Sequence, residues 1–246
     1  MVDRVADSRE FIRGAARYRD LVYILSKGKA LMKEDIAHTS LLGIYQGKWG
    51  DNTRTAWNST ALAVAKKPSE RLVFIGEDGE VCTYVGGKTT KEAIKPAPKM
   101  IRHARTVDGH VFACGMARQV YKRVGERKWE NISAPKPEPG EEVGFEAIDG
   151  YSEKELYAAG WNGEIWEMKD GKWIKHQSQG KAILTAVCCA GDGFVYAAGQ
   201  GGIFFKGRHD QWEAMKLKNV DDDLWDLCWF NNKLYVSTMT GLFTLE

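Results

Sequence analysis

The residues able to do covalent or metal chemistry are scattered along this chain. Cys82, Cys114, Cys188, Cys189 and Cys228 contain no C-x-x-C pair, and His38, His103, His110, His176 and His209 show no H-E-x-x-H or H-x-x-x-H spacing. Structural zinc needs several such ligands converging on one point, so no metal site and no cofactor are expected. The cysteines lie in apolar strings such as VFACG and TAVCCAG, where a reduced thiol acts as a small hydrophobe. The run Asp221, Asp222, Asp223 lacks the alternating spacing that spreads oxygen ligands around calcium. No G-x-S-x-G elbow, Walker loop or dinucleotide fingerprint occurs, and an enzyme is not expected. Binding chemistry is better represented. The polar segment GIYQGKWGDNTRTAWNST holds Tyr45, Trp49, Asp51, Arg54 and Trp57, residue types that bring large contact area at small entropic cost.

The elements that must position these residues follow from composition and periodicity. The chain has 246 residues, 43% of them apolar and 28% charged, which is the make-up of a globular protein with a real core. A formal net charge of +2 is too small to make a phosphate backbone the default partner. The opening MVDRVADSREFIRG lacks the hydrophobic stretch of a secretory signal, and no run approaches 18 apolar residues. A cytoplasmic protein that contacts neither nucleic acid nor membrane is expected.

One pattern recurs through the sequence: a short apolar run, a small polar turn, then a second apolar pair. Copies begin at Leu21, Leu72, Val111, Leu156, Val195 and Leu234, with successive starts 51, 39, 45, 39 and 39 residues apart. Each run is rich in Val, Ile, Leu, Tyr and Phe and bounded by Gly, Asp or Asn, the signature of strands. Another apolar strand precedes each copy, and three copies are followed by a hairpin ending on Trp129, Trp173 or Trp212. Four antiparallel strands, a to d, repeated six times predict an all-β chain, a β-propeller of six four-stranded blades. Five or seven blades would also accommodate the 51-residue gap. A single domain, 1–246, is expected, with the N-terminal segment before residue 9 supplying the outer strand that the last repeat lacks.

The Gly-containing b–c turns and hairpins such as KDGKW (Lys169 to Trp173) and RHDQW (Arg208 to Trp212) resemble those of the BNR or Asp-box-like β-propeller superfamily, including the photosystem II assembly factor type. The resemblance spans essentially the whole chain, although the full S-x-D-x-G-x-x-W consensus is absent. Members include glycosidases, assembly factors and lectins, so the fold leaves function open. Sialidase-like members grip a carboxylate with an arginine cluster on the inner strands. Here Arg13 and Arg102 take such positions, with Glu146, Thr185 and Asp226 at the corresponding places. A third arginine with a paired Tyr and Glu is lacking, which argues against glycosidase activity.

In such a fold the b–c turns and d–a connections share one face. That face nominates turn residues including Arg118, Trp161, Asn162, Glu164 and Gln200, together with the 43–60 segment read as a d–a connection. The partner-binding residues expected are Tyr45, Trp49, Asp51, Arg54, Trp57, Trp161, Asn162, Gln200, Asp221, Asp222 and Asp223. The acidic run suits a basic partner surface. The expected function is a non-catalytic protein-binding module; by analogy with other small stand-alone propellers, it would neutralise a toxin or assist an assembly. The alternative is binding of a carbohydrate or small ligand on aromatic platforms.

Overall fold

The computed structural model describes residues 3–176, 180–218 and 220–245. Its apolar runs form six consecutive antiparallel sheets, the architecture of an all-β, six-bladed β-propeller. The first sheet comprises β1 (Arg9–Tyr18), β2 (Leu21–Gly28), β3 (Thr39–Tyr45) and β4 (Lys48–Thr55). The second comprises β5 (Ser59–Ala65), β6 (Arg71–Gly76), β7 (Glu80–Val85) and β8 (Lys88–Ala93). The third has β9 (Ile101–Val107), β10 (His110–Gly115), β11 (Gln119–Gly125) and β12 (Lys128–Asn131). The fourth has β13 (Phe145–Ser152), β14 (Glu155–Gly160), β15 (Ile165–Lys169) and β16 (Lys172–His176). The fifth has β17 (Leu184–Cys189), β18 (Val195–Gly199), β19 (Phe204–Arg208) and β20 (Gln211–Met215). The sixth contains three strands among the described residues: β21 (Asp226–Phe230), β22 (Lys233–Ser237) and β23 (Leu242–Leu245).

By packing, the chain divides into two compact units, Met1–Val111 with Arg123–Glu130 and Phe112–Lys122 with Asn131–Glu246. In each unit the core lies between consecutive sheets. Tyr23, Leu25 and Leu41 of the first sheet pack with Leu62, Leu72 and Phe74 of the second. In the other unit, Tyr157 and Ile165 meet Leu184, Val195 and Phe205, and the fifth sheet packs on the sixth through Tyr196, Phe204, Leu227 and Val236. In the second, fourth and fifth sheets the second strand is sandwiched on both faces, which explains its continuous apolar run; β6, β14 and β18 are buried almost end to end. The outer strands, facing water on one side, are largely polar.

Two sequence expectations need correction. Asp3–Ser8 is a helix, α1, so it does not supply an outer strand to the sixth sheet; the start of that segment, Met1 and Val2, lies outside the described residues. Asp, Arg and Ser in DRVADS carry no alternating apolar face to bury in a sheet. The 43–60 segment is also not a connection. It runs through the end of β3, a two-residue hairpin and the whole of β4, with Leu42 paired to Asp51 and Ile44 to Trp49. Its polarity is that of an outer strand.

The b–c turns of the fourth and fifth sheets share one backbone design. Trp161–Gly163 and Gln200–Gly202 are single 3₁₀ turns, each preceded by glycine. At Gly160 and Gly199 a Cβ would stand 2.0 and 2.1 Å from the carbonyl oxygens of Gly144 and Ile183. The same carbonyls accept the N–H groups of Trp161 and Gln200 at 3.0 Å. Strand a thus pins the turn, and only glycine leaves room. Gly160→Ala is expected to cost about 2 kcal/mol or more, since backbone must shift to relieve the overlap; urea denaturation followed by tryptophan fluorescence measures it.

Candidate partner-binding site

The turn carrying Trp161 is anchored by a buried ionic cluster. Glu164 closes the turn: its N–H donates to the Trp161 carbonyl at 3.2 Å and its own carbonyl accepts from Gly160 at 3.1 Å. Its side chain, 2% exposed, turns inward and meets a fork from Arg118, Nε to Oε2 at 2.8 Å and Nη2 to Oε1 at 2.7 Å. Lys175 donates to Oε1 at 2.5 Å and the Trp166 indole to Oε2 at 2.9 Å. The Arg118 guanidinium also lies 5.2 Å from the Trp166 ring centroid and reaches Glu141 at 3.2 Å. Burial works against the Glu164 anion, but the hydrogen bonds from Arg118, Lys175 and Trp166 prevail and hold its carboxyl below the usual range. Arg118 and Glu164, nominated as exposed turn residues, are structural supports.

A bulge sets the neighbouring residue. Pairing of β13 with β14 skips Glu146, and pairing of β17 with β18 skips Thr185. An extra residue leaves the ladder and re-aims its side chain. Glu146 accepts the Trp161 indole N–H at 2.6 Å, fixing the ring at the turn. Thr185 donates instead to the Leu224 carbonyl, tying the fifth sheet to the start of the sixth. Asn162, exposed beside Trp161, takes φ 57°, a conformation that Asn tolerates better than most side chains.

The second half of the acidic surface forms the same way. Asp223 accepts the Gly201 N–H at 2.8 Å, and Gln200 accepts from the Ile183 N–H at 3.2 Å. The Gln200 turn and the Asp221–Asp223 run are therefore brought together, with all three aspartates exposed. Trp225 beside them is 48% exposed. Trp161, Asn162, Gln200 and the three aspartates belong to one compact unit.

The remaining nominated residues spread along the first sheet. Tyr45, 53% exposed, sits at the β3–β4 hairpin opposite Lys48, the far end of the strands from the b–c connection. Trp49 stacks on Phe11 with ring centroids 5.7 Å apart. It is the second residue of β4, the position that Trp129, Trp173 and Trp212 hold in β12, β16 and β20. Asp51 pairs with Arg9 at 3.2 Å, and Arg54 is exposed opposite Ser40. Trp57 packs against Phe74, 5.9 Å between centroids, while its carbonyl accepts Thr39 and Thr55 hydroxyls.

No protein-family model matches the chain. The immune protein Tsi7 of Pseudomonas aeruginosa is 39% identical over 247 residues, spanning 95% of this chain and 81% of that protein. The chain belongs to the Tsi7 family. Solved structures similar to this Tsi7-family chain confirm the propeller. YCF48 bound to D1 peptide superposes with a TM-score of 0.69 at 12% identity, over 96% of this chain and 78% of that one. It bears out the resemblance to assembly-factor propellers. Virginiamycin B lyase from Staphylococcus aureus, an inactive variant with quinupristin, gives 0.68 at 9% identity over 96% and 94%. Binding modules and enzymes thus share this architecture, and at these identities the likeness concerns fold alone.

Sequence reasoning missed two clusters in the Tsi7-family chain, because their members are far apart in sequence: Arg118 with Glu164 and Lys175, and Glu155 with Glu167 and His209. The second is the one group of metal-competent side chains that converges among the described residues.

Removing one partner of a buried pair leaves an uncompensated charge. Arg118→Ala is therefore expected to destabilise by about 3–5 kcal/mol. The Glu164 carboxyl is depressed on folding, so its contribution is complete above the ordinary carboxylate range and is lost as pH falls below that range through the lowered value of the folded state. Glu164→Gln should lower the urea midpoint at pH 7, and its deficit relative to the wild type should shrink progressively as pH falls below about 5.

Proposed function

We propose that this chain is a toxin-neutralising immunity protein, a non-catalytic binding module acting as one domain in the cytoplasm. The observation that carries this reading is the 39% identity to a protein named as an immune protein, maintained over 95% of the chain. The rigid turns support it. Trp161 is held by Glu146 from one side and by the Glu164 anchor beneath, so little ordering entropy is lost when a partner packs against it. The partner is another protein with a basic contact surface. Asp221, Asp222 and Asp223 stand exposed beside the Gln200 turn, and complementary charge accelerates encounter and sets orientation. A net charge of only +2 gives little pull on a phosphate backbone, which supports a protein rather than a nucleic acid as partner; no helix among the described residues is long and apolar enough to cross a bilayer. The five cysteines are free, three of them buried, which suits a reducing compartment.

The contact surface centres on Trp161, Asn162, Gln200 and the Asp221–Asp223 run, with Tyr45, Asp51 and Arg54 of the first sheet as a second patch. Trp49 and Trp57 contribute through packing. The test is growth rescue: the chain is co-produced with each candidate toxin encoded near its gene in the native host, and the pair is co-purified. Trp161→Ala should weaken binding by about 2 kcal/mol or more, roughly thirtyfold, with an unchanged thermal midpoint. Asp222→Lys with Asp223→Lys should slow association and flatten its salt dependence. Full rescue by both variants would overturn the assigned surface, and absence of rescue by the wild type would overturn the function.

A further inference from the structure

We propose that His209 and Glu167, which line the cleft between the outer strands of the fourth and fifth sheets, bind a divalent transition-metal ion together with Glu155 beside it. The cleft has a volume of about 880 Å³ and is lined by Glu167, His176, Phe205, His209, Asp210 and Trp212 among others. One ligand atom from each of Glu155, Glu167 and His209 lies within 4.8 Å of the other two. Ligands around tetrahedral zinc stand roughly 3.4 Å apart, given metal–ligand bonds of about 2.0–2.1 Å. Closing the set on an ion therefore takes side-chain shifts of about 1 Å.

The present partners of these groups indicate why a cation fits. Glu167 is 2% exposed, and its two oxygens meet only imidazoles in the hydrogen bonds of this cluster: His209 Nδ1 at 2.7 Å and His176 Nε2 at 3.0 Å. Glu155, by contrast, is forked by Arg208 at 2.8 and 3.0 Å and accepts the Tyr157 hydroxyl at 3.0 Å. The Arg208 guanidinium thus serves Glu155 alone, and the more deeply buried Glu167 meets imidazoles instead of a permanent cation. An anion in that position gains from full counter-charge. A divalent ion supplies it, while His176 and Arg208 remain to hold the carboxylates; the Tyr157 hydroxyl, 3.0 Å from Glu155 and 3.4 Å from His209 Nδ1, lies among the ligand atoms and turns aside when the ion enters. The imidazole in the set selects zinc, nickel, cobalt or copper over magnesium and calcium. His209 follows β19 at the β19–β20 turn, and its side chain is 42% exposed, so the ion enters from solvent and water completes its coordination. Coordination uses the Nδ1 lone pair; the hydrogen that faces Glu167 moves to Nε2 through solvent.

Glu155 begins β14 and His209 follows β19, at the ends of the strands away from the Trp161 and Gln200 turns. Metal binding and partner binding are therefore separable.

The experiment titrates zinc by calorimetry, and cobalt by visible absorption, into the full chain carrying Cys228→Ser, because the exposed Cys228 thiol would compete for soft metals. One equivalent should bind with micromolar affinity. His209→Ala and Glu167→Gln should each weaken it by about 10- to 100-fold, while His110→Ala should leave it unchanged. Should the buried Glu167→Gln variant fail to fold by circular dichroism, His209→Ala decides, since that side chain is half exposed. No binding at 1 mM metal, on the order of a thousandfold above the expected range, or equal binding by His209→Ala, overturns the proposal. Growth rescue in the preceding section does not depend on either result.

Discussion

The carboxylate of Glu164 is the interaction on which the candidate surface rests. It sits almost completely out of water, where an unpaired anion would be costly, and it receives four hydrogen bonds from Arg118, Lys175 and Trp166. Its backbone closes the turn that carries the half-buried Trp161 and the exposed Asn162. The ionic cluster therefore converts tertiary packing into a fixed position for a large, half-buried ring. Arg118 comes from the turn between β10 and β11, Glu164 from the start of β15 and Lys175 from β16, so forming the cluster also ties successive repeats together. Such a network is expensive to break and leaves the turn little freedom, which is the property a binding surface needs to keep its affinity.

The same economy recurs in smaller devices. A bulge at the second residue of strand a frees a side chain in several sheets, and each repeat uses the freed residue differently. Thr60 donates to the Ile101 carbonyl at 2.7 Å, Thr185 reaches the Leu224 carbonyl, and Glu146 holds the Trp161 indole. The first two stitch one sheet to the next. The third has been diverted to presenting an aromatic ring. Repeats with common backbone geometry and divergent side chains produce one composite surface rather than six equivalent sites, and this favours a single large partner over a repeated small ligand.

Much of the fold was legible in the sequence because a strand buried on both faces must be apolar throughout, and six such runs separated by glycine turns left little choice of architecture. Trp129, Trp173 and Trp212 were readable as packing residues because they recur; Trp173 stacks on Phe145 and donates to the Ile132 carbonyl at 2.6 Å. Trp49 occupies the same repeat position but was assigned to partner binding because β4 is polar: KWGDNTRT has the composition of a loop and the hydrogen bonding of a strand. The helix at Asp3–Ser8 was missed for the opposite reason, since the expectation of a strand there came from counting the strands of the last repeat and not from the segment's own residues.

Local pattern determined the number of sheets, their strand order and the turns that carry Trp161, Gln200 and the aspartates, because each of these is decided within about forty residues of chain. Which turn residues face water was decided only by tertiary structure. Arg118 and Glu164 occupy turns and are polar, yet they pair across 46 residues and are buried. Glu155, Glu167 and His209 likewise meet from three strands or turns with no shared spacing. Periodicity reports which face of a strand is apolar; it carries no information on which charged side chains meet when neighbouring sheets pack, and that meeting sets both the rigidity of the candidate contact surface and the ligand set proposed at the cleft.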